Sequence, residues 1–131
     1  MGNTAIHVDK LTKRFGKFTA VDGISFELSY GSIFGYLGAN GAGKSTTIKM
    51  LCGILTPTSG GGTVAGFDIN VEPEKIKTSI GYVSQRFSLY GDLNVMENLN
   101  FFGQIYGLSG QVLYQRIDEV LALTGLGEYR D

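Results

Sequence analysis

Gly38-Ala39-Asn40-Gly41-Ala42-Gly43-Lys44-Ser45-Thr46 is the stretch that decides the fold of this chain. It fits the pattern G-x-x-x-x-G-K-[ST] of loops that cradle phosphates. Before it, Ser32-Ile33-Phe34-Gly35-Tyr36-Leu37 reads as a buried strand. After it, Thr46-Thr47-Ile48-Lys49-Met50-Leu51-Cys52 reads as a helix. Strand, glycine loop and helix in that order are what polyphosphate binding needs. The glycines let backbone N–H groups turn toward the ligand without Cβ clashes. The helix N-terminus adds its partial positive charge. In that arrangement Lys44 reaches the β- and γ-phosphates and the Ser45 hydroxyl ligates Mg²⁺.

The rest of the composition bounds the class. The chain has 131 residues, 43% of them apolar, enough for one domain with a real core and far from the disordered regime. Eleven basic residues nearly cancel twelve acidic ones, so the whole chain lacks a basic footprint for nucleic acid. No apolar stretch is long enough to span a membrane, and the N-terminus has no signal-peptide pattern. The expectation is a location in the cytoplasm or at the cytoplasmic face of a membrane. Cys52 is the single cysteine and His7 the single histidine. An internal disulfide is therefore impossible, no zinc cluster is expected, and Cys52 reads as a small core residue.

Along the chain, Thr4 to Leu11 and Phe18 to Leu28 alternate as strands. The helix after Lys44 is expected to end near Gly53. Thr56-Pro57-Thr58-Ser59-Gly60-Gly61-Gly62 is a loop by composition, followed by a short strand from Thr63 to Phe67. Glu72-Pro73-Glu74 opens a short helix with proline in its first turn, and Ile80-Gly81-Tyr82-Val83-Ser84 reads as a further strand. The character then changes. Asn94-Val95-Met96-Glu97 is a capping-box pattern. Met96, Leu99, Phe102, Ile105 and Tyr106 follow as one helical stripe, ended by Gly107. Ser109 can cap a second helix bearing Val112, Ile117, Val120, Leu121 and Leu123. The fold class expected is α/β, with a phosphate-loop core over residues 1–85 and the start of a helical part over residues 86–131.

These residues together resemble the N-terminal half of the nucleotide-binding domain of ATP-binding cassette (ABC) transporters, over essentially the whole chain. Leu11-Thr12-Lys13-Arg14-Phe15-Gly16 is similar to the family's adenine-binding segment, which implies that the Phe15 ring stacks on the base. Ala20-Val21-Asp22-Gly23-Ile24-Ser25-Phe26 and Thr58-Ser59-Gly60 also follow the family's pattern. Ile80-Gly81-Tyr82-Val83-Ser84-Gln85 resembles the strand entering the Q-loop. By that resemblance Gln85 reaches Mg²⁺ or the attacking water, and relays the nucleotide state to a membrane subunit. Phe87-Ser88-Leu89-Tyr90, Asp92-Leu93-Asn94-Val95 and Glu97-Asn98-Leu99 resemble the subgroup that exports drugs, lipids or polysaccharides. The resemblance thus implies an ATPase that energises export from the cytoplasmic face, with ATP and Mg²⁺ bound at Phe15, Gly38, Ala39, Asn40, Gly41, Ala42, Gly43, Lys44, Ser45, Thr46 and Gln85. It implies as partners a transmembrane permease and a second nucleotide-binding domain, and no nucleic acid.

The family's signature segment, the strand carrying its catalytic Asp and Glu, and its switch histidine are expected beyond Asp131. The expectation is therefore a truncated domain that binds ATP without turning it over. Leu108-Ser109-Gly110-Gln111 echoes the signature L-S-G-G-Q but is one glycine short, and reads as a helix cap. Two other readings stay open on the residues alone. One is a soluble cassette ATPase acting on ribosomes or DNA. The other is an unrelated phosphate-loop phosphotransferase, in which Phe15 and Gln85 have no role.

Overall fold

The computed structural model describes residues 2–38, 41, 43–86 and 88–130. The chain forms two compact units, Met1–Tyr82 and Val83–Asp131.

The first unit is built on a four-stranded sheet. Two twelve-residue strands, β1 (Thr4–Phe15) and β2 (Phe18–Ser29), form a long antiparallel hairpin that runs from Thr4↔Ser29 to Phe15↔Phe18. Helix α1 (Lys44–Leu51) follows, then β3 (Ser59–Val64) and the two-residue β4 (Phe67–Asp68). The strand order is β2-β1-β3-β4, and each neighbouring pair is antiparallel. Val8, Leu11 and Val21 from the hairpin bury against Met50 of α1. A second cluster, Val64, Ile69 and Ile76, lies under α2 (Pro73–Ser79). Proline in the first turn of α2 removes a backbone donor that has no intrahelical partner there in any case.

Three expectations for this unit are corrected. Ser32–Leu37 and Ile80–Ser84 are not strands: neither carries ladder hydrogen bonds, and Ile33, Leu37 and Val83 are almost fully exposed. An apolar run becomes a strand only where another backbone pairs with it, and among the described residues none does. Conversely, the glycine-rich stretch read as a loop supplies β3. At Gly62, φ is 154°, and a Cβ would lie 1.9 Å from the His7 carbonyl oxygen. Glycine is present there because β3 crosses β1 too closely for any side chain.

The second unit pairs α3 (Val95–Ile105) with α4 (Gly110–Thr124), followed by a 3₁₀ turn at Gly127–Tyr129. The capping box forms as expected. Glu97 N–H donates to Asn94 Oδ1 at 2.8 Å, and Asn94 N–H donates to Glu97 Oε2 at 2.9 Å. Leu113, Ile117 and Leu121 of α4 pack on Val95, Met96 and Leu99. The apolar phase of α4 is therefore one residue from that expected at its start. Val112 and Leu123 face out, as do Ile105 and Tyr106 of α3. Ser109 stands at the N-cap of α4, but its side chain makes no capping bond.

Asn98 holds the segment before α3 in shape. It is only 7% exposed. Its Oδ1 accepts the Tyr90 N–H at 2.9 Å, and its amide donates to the carbonyls of Tyr90, Leu93 and Asn94 at 3.0–3.1 Å. The Tyr90 ring meets Phe101 edge-on at 5.1 Å. Asn98→Ala strands buried polar groups, each worth about 1–3 kcal/mol. We expect it to destabilise this unit by about 2–3 kcal/mol, and to expose the Tyr90 amide to hydrogen exchange well before that of Leu121. An unchanged urea midpoint and unchanged Tyr90 exchange would contradict this role. Among the described residues, no helix is long and apolar enough to cross a membrane.

Candidate functional site

The glycine motif lies between an unpaired apolar segment and α1. Gly43 is the N-cap of α1, with φ 85° and ψ 10° in the left-handed region. A Cβ on Gly43 would sit 2.2 Å from the Ala20 carbonyl oxygen and 3.1 Å from Val21 Cγ2. The exit of the loop is thus pressed against the backbone of β2, where only glycine fits. The first N–H groups of a helix have no intrahelical acceptors. At α1 the N-cap has no side chain to occupy them, and the first turn contains no acidic residue. That turn instead carries Lys44, Ser45 and Thr46. Ammonium, hydroxyls and the first N–H groups at a helix N-terminus form a donor set that suits an anion.

Internal bonds brace this corner. The Thr47 hydroxyl, fully buried, donates to the Gly43 carbonyl at 3.0 Å. The Tyr36 hydroxyl lies 3.3 Å from Thr47 Oγ1, linking the segment that enters the loop to the helix that leaves it. Lys44 Nζ donates to the carbonyl of Gly38, so its ammonium spans the first and last parts of the motif. Ser45 is exposed, while Lys44 and Thr46 are half-buried. Gly41 lies in a turn and is exposed. Ala39, Asn40 and Ala42 lie outside the described residues, as does Phe87 of the export-like segment.

Phe15 ends β1 at the tip of the hairpin, 49% exposed. It pairs in register with Phe18. Ala20, which touches Gly43, is two residues further along β2. At about 3.3 Å per residue, Phe18, the cross-strand partner of Phe15, and Ala20 are about 7 Å apart along β2. The hairpin thus links Phe15 at its tip, through Phe18 and Ala20 of β2, to the loop exit at Gly43. Gln85 is an exposed residue at a bend in the second unit, where Ser84 Oγ donates to the Arg86 carbonyl at 2.6 Å. A broad open groove elsewhere on the first unit, over His7, Asp9, Lys10 and Gly60–Gly62, contains none of the motif's residues. Cys52 follows α1 half-buried, and burial pushes its thiol pKa up, away from reactivity.

The sequence profile of the ABC transporter family matches residues 21–131. The chain is 48% identical over 125 residues to the probable multidrug ABC transporter ATP-binding protein YbhF of Escherichia coli K12, covering 95% of this chain and 22% of that protein. It is 46% identical over 123 residues to the linearmycin resistance ATP-binding protein LnrL of Bacillus subtilis 168, covering 94% of this chain and 40% of that protein. Among solved structures it superposes with TM-score 0.79 and 28% identity on cbiO1 of Clostridium perfringens, described as part of the ABC transporter complex cbiONQ. That match covers 98% of this chain and 53% of that one. The chain thus spans well under half the length of these curated relatives.

Proposed function

This chain belongs to the ABC transporter family, and we propose that it binds ATP with Mg²⁺ as part of a subunit that energises export across a membrane. The observation that carries the reading is the loop exit: a left-handed, side-chain-free N-cap at Gly43, followed by Lys44 and Ser45 on a first turn without acids. The N–H groups of that turn receive phosphate oxygens, with Gly38, Ala39, Asn40, Gly41 and Ala42 forming the rest of the cradle. Lys44 exchanges its bond to the Gly38 carbonyl for the β- and γ-phosphates. Ser45, exposed beside it, is the hydroxyl available to Mg²⁺, which neutralises phosphate charge when bound. Thr46 lines the same turn. By the family resemblance, Gln85 is the residue assigned to Mg²⁺ or the attacking water.

For the whole protein, the reading extends to ATP hydrolysis, to a transmembrane permease partner and a second ATP-binding copy, and to a position at the cytoplasmic face of the membrane. The names of the multidrug and linearmycin-resistance relatives favour export over import.

Phe15 tests the base subsite separately from the phosphates. A half-exposed ring that stacks on a purine contributes about 1–3 kcal/mol and discriminates little between bases. Phe15→Ala is expected to lose that much ATP affinity in a calorimetric titration, Phe15→Tyr is close to neutral, and ATP and GTP differ modestly. Wild-type affinity in Phe15→Ala would mean that the ring only packs.

A further inference from the structure

Phe15 is not a free-standing ring. Lys13 Nζ lies over it at 5.4 Å from the centroid, inside the roughly 6 Å range of a cation–π contact. The same ammonium donates to the Thr56 carbonyl at 2.7 Å. Two further bonds stitch the segment after α1 to the end of β1: Arg14 N–H to Thr58 Oγ1 at 2.9 Å, and Thr58 N–H to the Thr12 carbonyl at 2.9 Å. Lys13 also sits opposite Val21 on β2, whose methyl group would lie 3.1 Å from a Cβ at Gly43. The cation over Phe15 is thus anchored to the connection that leaves the phosphate-loop helix.

We propose that Lys13 is a positioning residue for the base. Its ammonium takes one face of the Phe15 ring and leaves the opposite face for a purine. A cation on one face also draws π density from the ring, which strengthens stacking by an electron-rich base on the other. Because the ammonium is engaged by Phe15 and Thr56, Lys13 acts on the base through the ring and does not act on the phosphates. The proposal rests on the ATP-binding reading above.

The test compares Mg-ATP with inorganic tripolyphosphate, which has no base, by calorimetric titration of the full chain. Lys13→Met keeps the aliphatic stem and removes the charge. It is expected to weaken Mg-ATP binding about three- to tenfold, and to leave tripolyphosphate binding within about twofold. Lys13→Arg restores ATP binding. In a Phe15→Leu background, Lys13→Met causes no further loss. Equal losses for both ligands, an unchanged ATP affinity, or an additive loss in Phe15→Leu would each overturn the proposal. Lys44→Ala is the arm that separates the two readings. It must weaken both ligands, and if it weakens neither, the phosphate-loop reading itself falls.

Discussion

Lys44→Ala is expected to lower the affinity of this chain for Mg-ATP by about 100-fold, or about 3 kcal/mol. Lys44 is the only side-chain cation in the motif. Charge-assisted hydrogen bonds are worth about 1.5–3 kcal/mol each, and in the proposed placement the ammonium would make two, to the β- and γ-phosphates. Lys44 also bonds to the Gly38 carbonyl, so its removal could loosen the loop as well as delete a charge. Lys44→Met, with the same stem and no charge, separates these effects. It shares the full loss if charge matters, and much of the affinity returns if the stem alone shapes the loop. Ser45→Ala is expected to leave metal-free binding intact and to abolish the gain from adding Mg²⁺. Equal ATP affinity in wild type and Lys44→Ala would remove the assignment.

Gly62→Ala is expected to unfold the first unit or come close to it. Its Cβ would lie 1.9 Å from the His7 carbonyl oxygen and 3.0 Å from Val8 Cα, both backbone atoms of β1 that cannot step aside as a side chain can. With φ at 154°, alanine is strained even before the clash. Strain and overpacking each cost about 1–3 kcal/mol, and together about 3–5 kcal/mol, a large share of the stability of a small domain. Gly66→Ala is the control. It too has positive φ, 83°, but a Cβ there meets nothing within 4 Å, so it should lose only about 1–2 kcal/mol. Urea denaturation of the two variants side by side measures the difference. Equal midpoints would show that β3 has room to move away from β1.

Local rules made much of this molecule legible in its sequence. The glycine motif, the hairpin strands, the proline-led α2 and the Asn94–Glu97 capping box all rest on residues within a few positions of one another. What failed depends on partners distant in sequence. Ser32–Leu37 and Ile80–Ser84 carry strand-like apolar runs, but strand structure needs a second backbone, and among the described residues none pairs with them. Gly60–Gly62 looked like a turn because glycine usually marks one. Here it marks a close crossing with His7, visible only once β3 is beside β1. The packing phase of α4 was missed by one residue at its start, Leu113 in place of Val112, because both are apolar and both phases fit a short window. Asn98 was hidden as a polar residue on an apolar helix, and a buried Asn there is the one available hint of a capped loop. The approach of Ala20 to Gly43 left no sequence signal, since it depends on how β2 lies against the loop exit.

The most direct test of ATP binding at this corner is an amide and aromatic NMR titration of the isotopically labelled chain with Mg-ATP. The expected result is a single saturable transition in which the amides of Gly41, Gly43, Lys44 and Ser45 and the ring resonances of Phe15 move with one dissociation constant, all of them absent in Lys44→Ala. Shifts confined to the open groove around His7 and Gly61, or no saturable shifts at all, would contradict it.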